Sequence, residues 1–257
     1  MTLRLSTALR NSMASDMSLR RALSGGSLDI YTGAQPASAD AAATGTLLCT
    51  LTNNAGVFTS EVQAQGSVTL TGGASGSVNT LTVNGIDILG GAVNFITSLS
   101  ITASAVAAQI NNKNKQVDYT ASTNGAIIII TAMPGTGTMP NGFVVASTTT
   151  TLTKTDANMA GGVAGVNGLT FDVSAADVLS KTAAQVWSGI NVASGTAGWF
   201  RYTAAAADPD TLDNAFVYKR IDGAVGVTGA ELNLTSTTFA VGVLSSITVF
   251  QLTLPSL

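Results

Sequence analysis

Alternation of apolar and polar residues with a period of two recurs at both ends of this chain. It is clearest over 247–254, which reads Ile-Thr-Val-Phe-Gln-Leu-Thr-Leu, and it returns over 27–31 and 231–234. A strand with this pattern buries one face and exposes the other, as in an antiparallel sheet that covers a core. Glycines separate the alternating segments at turn-like spacing. The pattern therefore predicts a mainly β protein with a β-sandwich or jelly-roll-like domain.

A different periodicity, typical of a helix, marks the first residues of the chain. Four apolar residues recur there at intervals of four: Leu5, Leu9, Met13 and Met17. This spacing places them on one stripe of a helix over 1–24, which Ser24-Gly25-Gly26 would end. We interpret 1–26 as an N-terminal helical arm, packed either on its own domain or on a neighbouring subunit.

The middle of the chain combines one further helix with short strands. A helix is predicted over 102–113, and the hydroxyl of Ser100 or Thr102 can cap its N-terminus. Four apolar residues share one face of this helix: Ile101, Ala105, Ala108 and Ile110. Strands are predicted over 117–122 and 126–132. The second of these contains four consecutive isoleucines, and a β-branched run of this density favours a strand over a helix.

These elements divide the chain into an outer domain and an inserted one. Residues 27–64 and 166–257 are predicted to form one discontinuous β-sandwich domain. Residues 65–165 are predicted to form a small α+β module that enters from a loop of that domain, because the entropy of loop closure grows only slowly with loop length. Three consecutive domains are the alternative arrangement.

The chain carries unusually few charges. Only 10% of its residues are charged and its net charge is −3, whereas ordinary domains contain roughly 25% charged residues. A surface of hydroxyls and small side chains loses little on desolvation, so this composition favours packing between subunits. It indicates no nucleic-acid partner. No apolar stretch approaches the roughly 18 residues of a membrane span, so no membrane partner is expected.

Cysteine usage and the N-terminal sequence predict the compartment. The single cysteine, Cys49, excludes an intrachain disulfide and lies in an apolar run, where we interpret it as a small core residue. Residues 1–23 lack the apolar core of a secretory signal. Synthesis and folding in a reducing cytoplasm are therefore expected.

Ordered blocks in the outer segments carry a resemblance to a known family. The first block reads LDIYTGAQPASADAA over 28–42, followed by GTLL over 45–48. Later come GTAGWFR over 195–201, GVTGAELNL over 226–234 and a closing Leu-Thr-Leu-Pro. Together these blocks resemble a family of tailed-bacteriophage virion structural proteins. Typical members of that family pass from the first block to GTAGWFR without an insertion, so the spacing of this chain departs from the family pattern.

The inserted segment resembles a module that recurs in phage neck and tail proteins. The resemblance lies in AVAAQIN over 105–111, YTAS over 119–122, GTG over 135–137 and PNG over 140–142. The two resemblances imply a virion protein made in the host cytoplasm, whose partners are other copies of itself and other virion proteins. Within the particle they favour the collar, the neck or the head–tail region.

Residue types that support catalysis are scarce. The sequence has no histidine, one cysteine and no phosphate-binding P-loop. This excludes Ser-His-Asp and Cys-His catalysis and most zinc sites. We predict no catalytic residue, no cofactor and no enzymatic activity. One acidic segment is a weak candidate for a metal site: Asp208, Asp210 and Asp213 could bind a hard cation such as Ca²⁺ through their oxygens, or they form a solvated turn.

Four aromatic residues occur close together in the C-terminal segment: Trp187, Trp199, Phe200 and Tyr202. In a β pattern such residues most often belong to the core, so we expect Trp199 to anchor the sandwich with Arg201 on the outside. An aromatic binding surface is the alternative.

These features together predict a structural subunit of a tailed-phage virion that assembles by symmetric homo-oligomerisation. A capsid decoration protein or a tail component is the alternative within the particle. A receptor- or glycan-binding module of a fibre is the second alternative, since β-sandwich folds serve many functions. An enzyme such as a glycan depolymerase ranks last.

Overall fold

The computed structural model of the protein describes four ranges of the chain: 3–15, 18–112, 119–173 and 178–253. The chain forms two compact units. Unit 1 comprises Met1–Glu61 and Gly165–Leu257, and unit 2 comprises Val62–Ala164. In both units strands far outnumber helices, and almost all strand pairs are antiparallel. The prediction of a mainly β protein is therefore confirmed.

The described elements are numbered in chain order. The first part of unit 1 contains β1 (Arg4–Leu5), α1 (Thr7–Ser15), α2 (Leu19–Leu23), β2 (Ser27–Thr32) and β3 (Leu47–Asn53). Unit 2 contains β4 (Gln65–Gly72), β5 (Ser77–Val83), β6 (Ile86–Asp87), β7 (Val93–Asn94), α3 (Leu99–Asn112), β8 (Tyr119–Asn124), β9 (Ile127–Ala132), β10 (Val145–Thr150) and β11 (Thr153–Ala160). The second part of unit 1 contains β12 (Val178–Ser180), β13 (Trp187–Ile190), β14 (Gly195–Thr203), β15 (Arg220–Gly226), β16 (Leu232–Asn233), β17 (Thr238–Phe239), β18 (Leu244–Ile247) and β19 (Gln251–Thr253).

Unit 1 is built on a nine-stranded sheet. Its strands follow the order β1-β15-β14-β2-β3-β13-β18, while β16 pairs with β15 and β17 pairs with β14. Side chains alternate between the two faces of each strand. On β2 and β14, Leu28 and Ile30 therefore share one face with Tyr202 and Phe200, their register partners. All four are buried, and this face forms the apolar core of the unit.

An aromatic cluster fills the centre of that apolar face. Its members are Phe171, Trp187, Phe200, Tyr202 and Phe250. Phe250 lies between β18 and β19, and its ring centroid is 5.3 Å from that of Trp187 and 5.6 Å from that of Phe200. The predicted strand over 247–254 is therefore interrupted, because the chain leaves the sheet edge where Phe250 enters the core.

The N-terminal residues form three short elements rather than one helix over 1–24. β1 pairs with β15, and Ser6 continues this contact by donating its N–H to the carbonyl of Arg220 at 3.0 Å. The Asp40 carboxylate accepts the N–H of Thr7 and so caps α1, while the Ser18 hydroxyl accepts the N–H of Arg21 and caps α2. Each cap satisfies a backbone N–H group at the start of a helix. The caps therefore favour two short helices over one continuous helix. Leu9 and Leu23 are buried in unit 1. Met17 of the predicted stripe lies outside the described residues.

Unit 2 packs one helix with two small antiparallel sheets. One sheet has the order β10-β5-β6, with β7 also on β5, and the other has the order β11-β4-β9-β8. In β9 the isoleucines alternate, so that Ile128 and Ile130 are fully buried. The helix α3 begins at Leu99, where the Ser98 hydroxyl accepts the N–H of Ile101. Its buried residues are Thr102, Ala103, Val106, Ala107 and Ile110, so the buried face differs from the predicted one.

Candidate functional site

The face of the unit 1 sheet that lies opposite the aromatic cluster carries charged residues. These residues are nevertheless buried, because other parts of the chain cover this face. Asp29 on β2 is the register partner of Arg201 on β14, and Arg201 is in turn the partner of Asp222 on β15. The three side chains therefore lie side by side on the face opposite the aromatic cluster. Arg201 and Asp222 are completely buried, and Asp29 is 9% exposed.

Arg201 and Asp222 form a bidentate ion pair at the centre of this face. The Nε of Arg201 donates to Oδ1 of Asp222 at 2.8 Å, and its Nη2 donates to Oδ2 at 2.8 Å. The guanidinium also lies 5.5 Å from the ring centroid of Trp199, which stacks on Tyr31 at 4.6 Å. Burial alone would lower the pKa of Arg201, but its hydrogen bonds and its attraction to Asp222 and Asp210 raise that pKa above the ordinary value. The guanidinium therefore stays charged.

A second buried arginine holds a loop against the sheet. Arg220 donates from Nε to Oδ2 of Asp208 at 2.6 Å and from Nη2 to Oδ1 at 2.5 Å. It also donates to the carbonyls of Ala39 and Ala41, at 3.4 and 3.3 Å. The first acceptor lies in the β14–β15 loop (204–219) and the other two lie in the β2–β3 loop (33–46). One guanidinium thus fastens both loops to the polar face.

The three aspartates proposed as a metal site have other partners in the structure. Asp208 binds Arg220 as described, and Asp210 accepts from Nη1 of Arg201 at 3.3 Å and from the hydroxyl of Tyr31 at 2.9 Å. Asp213 is 3% exposed and accepts the backbone N–H groups of residues 217 and 218 at 3.1 and 2.8 Å. Within the four described ranges, no group of three or more acidic, cysteine or histidine side chains could hold a metal ion.

The structure thus gives each aspartate of the acidic segment a partner within the protein. Arginine guanidinium groups and backbone amides bind these carboxylates, and cation binding at this segment stays a prediction. Each charge satisfied in this way avoids the large penalty of an unpaired buried ion. The aspartates serve to attach the β14–β15 loop.

A cavity of about 490 Å³ lies beside this network. Asp29, Asp208 and Asp210 line it together with Thr50, Phe58 and Tyr218. The Thr50 hydroxyl donates to Oδ1 of Asp29 at 2.5 Å. In the described part of the chain, Asp29 forms no ion pair of its own. Its environment is therefore unlike that of the other buried carboxylates on this face.

The isolation of Asp29 changes its proton affinity. Burial raises the pKa of the Asp29 carboxyl to about 7, from an ordinary 3.8. The Thr50 hydrogen bond and the charge of Arg201 oppose this increase, and the negative charges of Asp210 and Asp208 add to it. The site can therefore bind and release a proton near neutral pH.

The edge of the same sheet at β18 is the other notable surface of unit 1. Ile190 on β13 and Leu244 on β18 are register partners, and they are 51% and 57% exposed. Val192, two residues after Ile190, is 61% exposed. Among the described strands β18 pairs only with β13, so the backbone groups on its outer side are unpaired within the sheet. An apolar, unpaired edge of this kind is suited to pairing with another strand.

Sequence reasoning found only part of this site. It placed Arg201 outside the sheet opposite Trp199, but residues two apart on a strand share a face, and the structure buries both. It assigned no role to Asp29, Arg220 or Asp222. A signal is present in the sequence: Asp29 is a lone charge between Leu28 and Ile30, and Arg220 and Asp222 are two apart and so share one face of a strand. A buried charge at such a position requires a partner of opposite charge.

Within the described residues no helix has the length and apolar character that a membrane crossing requires. Comparison with known proteins yields no relative: no family model, no curated protein and no solved structure matches this chain.

Proposed function

We propose that this protein is a non-enzymatic structural subunit of a tailed-phage virion, that it assembles by symmetric homo-oligomerisation, and that it belongs to the collar, the neck or the head–tail region. Its partners are then other copies of itself and other virion proteins. The virion context rests on the blocks at 28–42 and 195–201 and on the neck- and tail-like pattern of the middle segment.

The apolar edge at β18 is the observation that carries the assembly part of this proposal. A two-fold axis beside an antiparallel edge strand places the same strand of a second copy in hydrogen-bonding register, so one surface is complementary to itself. The exposed side chains of Ile190, Leu244 and Val192 would then be buried beside the two paired β18 strands, one from each copy. The low charge of the chain supports the same conclusion, since few charged side chains oppose close packing.

We further propose the finer architecture of a sandwich or jelly-roll-like domain carrying an inserted module. Unit 1 consists of two chain segments that flank unit 2 in the sequence. An insertion of this kind leaves the outer domain complete, and it provides a separate surface for contacts with other virion proteins.

Assembly is tested by introducing a charge at the sheet edge. Ile190→Lys is expected to lower the self-association constant at least tenfold, because it places a charge next to edge strand β18, in the apolar surface that a second copy would bury. Analytical ultracentrifugation over a range of protein concentrations measures this change. Ile101→Lys is the matched control, since Ile101 is an isoleucine of similar exposure, 49%, on α3 of unit 2. A wild-type protein that is monomeric at every concentration would contradict the proposal.

The position in the particle is tested by quantitative mass spectrometry of purified virions. Roughly six to twelve copies of the chain per particle are expected for a ring on the axis between portal and tail. Hundreds of copies would instead indicate a head decoration or a tail-tube protein. Absence from the particle would overturn the structural role itself.

A further inference from the structure

The carboxylates on the polar face of unit 1 outnumber the guanidinium groups that bind them. Arg201 pairs with Asp222 and Asp210, and Arg220 pairs with Asp208. Arg4 on β1 carries a third guanidinium on this face, as the register partner of Asp222, but it donates to the carbonyl of Pro36. Three carboxylates therefore share two guanidinium groups. Asp29 is a fourth carboxyl group on the same face, and its hydrogen bond comes from the neutral hydroxyl of Thr50. An ionised Asp29 would therefore add an uncompensated negative charge.

That charge would act mainly on the β14–β15 loop. Asp208 and Asp210 belong to this loop, they line the cavity together with Asp29, and their charges already oppose its ionisation. The same two aspartates attach the loop to the sheet through Arg220, Arg201 and Tyr31. Repulsion from Asp29 is thus directed at the groups that hold the loop closed.

We propose that the β14–β15 loop is a pH-sensitive clamp, closed on the polar face of the sheet while Asp29 carries a proton and loosened when Asp29 ionises. The cavity beside Asp29 gives the carboxyl group access to water without movement of the sheet. Opening of the loop would rehydrate the ionised carboxylate and separate it from Asp208 and Asp210. No other molecule is required for the response.

Several titratable or charged groups surround Asp29: Tyr31 on β2, Cys49 on β3, Arg201 on β14, Arg220 and Asp222 on β15, and Asp208, Asp210 and Tyr218 in the loop. Burial raises the pKa of Cys49 to about 12 and also raises that of Tyr31. Neither group titrates in the neutral range. Burial also raises the pKa of the Asp222 carboxyl, against the opposing effect of its hydrogen bond to Arg201. Asp29, which lines the cavity, has a pKa of about 7 in the closed form.

The difference between the pKa values of Asp29 in the closed and the open loop determines how loop opening depends on pH. The carboxyl group has a pKa of about 7 when the loop is closed and approaches the ordinary 3.8 when it is rehydrated. The closed form therefore binds more protons between these values. The equilibrium constant for opening should rise with pH by up to about tenfold per unit below pH 7 and level off above it.

Hydrogen exchange measured by mass spectrometry tests this clamp. Between about pH 5 and pH 7, protection factors of loop amides should fall up to roughly a hundredfold, after correction for the intrinsic exchange rate. The N–H groups of Val217 and Tyr218, bound to Asp213, are suitable reporters. In Asp29→Asn, which keeps an acceptor for Thr50 and cannot ionise, these protection factors should change less than about threefold over the same range.

Two controls make the result decisive. Asp172→Asn applies the same substitution to an exposed aspartate of unit 1 and should retain the wild-type pH dependence. Amides of β9 in unit 2 should show no corresponding change. Equal pH profiles for wild type and Asp29→Asn would overturn the proposal.

Should Asp29→Asn fail to fold, carbon-13 NMR titration of the wild-type carboxyl groups still tests the clamp. A titration midpoint for Asp29 near pH 4 would refute it.

Discussion

Asp222→Asn is expected to lower the free energy of unfolding of this protein by about 3–5 kcal/mol, because it removes the fully buried, bidentate partner of Arg201 and leaves that guanidinium only the longer contact to Asp210. Both members of this pair are completely buried, so water cannot take the place of the lost carboxylate. Urea unfolding followed by tryptophan fluorescence measures the change. Both tryptophans, Trp187 and Trp199, belong to unit 1 and report on the sheet that carries the pair.

A double-mutant cycle separates the pair from its surroundings. Arg201→Met and Asp222→Leu should each be strongly destabilising, since each leaves the other charge buried without its bidentate partner. The double variant should lose less than the sum of the two single losses, by more than about 1 kcal/mol, because the remaining side chains are apolar and need no partner. Additive losses would mean that the two charges do not depend on one another.

Phe250→Ala is expected to have an effect of similar size, a loss of about 3–5 kcal/mol in the free energy of unfolding. Phe250 is 2% exposed, and its ring contacts four others, those of Phe171, Trp187, Phe200 and Tyr202. Truncation removes these contacts and leaves a cavity that the neighbouring rings can fill only in part. Urea unfolding with tryptophan fluorescence again provides the measurement.

Phe216→Ala is the matched control for this prediction. It makes the same chemical change in the β14–β15 loop, where the phenylalanine is 50% exposed. It should change the free energy of unfolding by no more than about 1 kcal/mol. If Phe250→Ala costs as little as this control, the aromatic cluster is not the centre of the unit 1 core.

The patterns that depend only on neighbouring residues were predicted well from the sequence. The four isoleucines that begin β9 form a strand because β-branched side chains favour extended backbone, and α3 forms close to its predicted place. Boundaries and faces were less accurate. α3 begins at Leu99 and buries Val106 and Ala107, because the face that a helix buries is decided by the sheets around it.

In the N-terminal segment, contacts with distant parts of the chain compete with the formation of one long helix. The spacing of Leu5 and Leu9 predicts one helix, yet residues 4–5 form a strand on β15 and a helix starts only at Thr7. Asp40, which caps that helix, lies more than thirty residues away in the sequence. Local spacing carries no information on such a distant partner.

The sequence by itself determined that this chain is mainly β, and its lack of histidine excluded Ser-His-Asp and Cys-His catalysis, since alternation and composition are local and countable properties. Only the tertiary structure decided which charges are buried together. Asp29 comes from β2 near the start of the chain, whereas Arg201 and Asp222 come from the consecutive strands β14 and β15, and strand register brings all three onto one face. The pKa of Asp29 and the attachment of the β14–β15 loop follow from that register, because burial and charge pairing act through space and not along the chain.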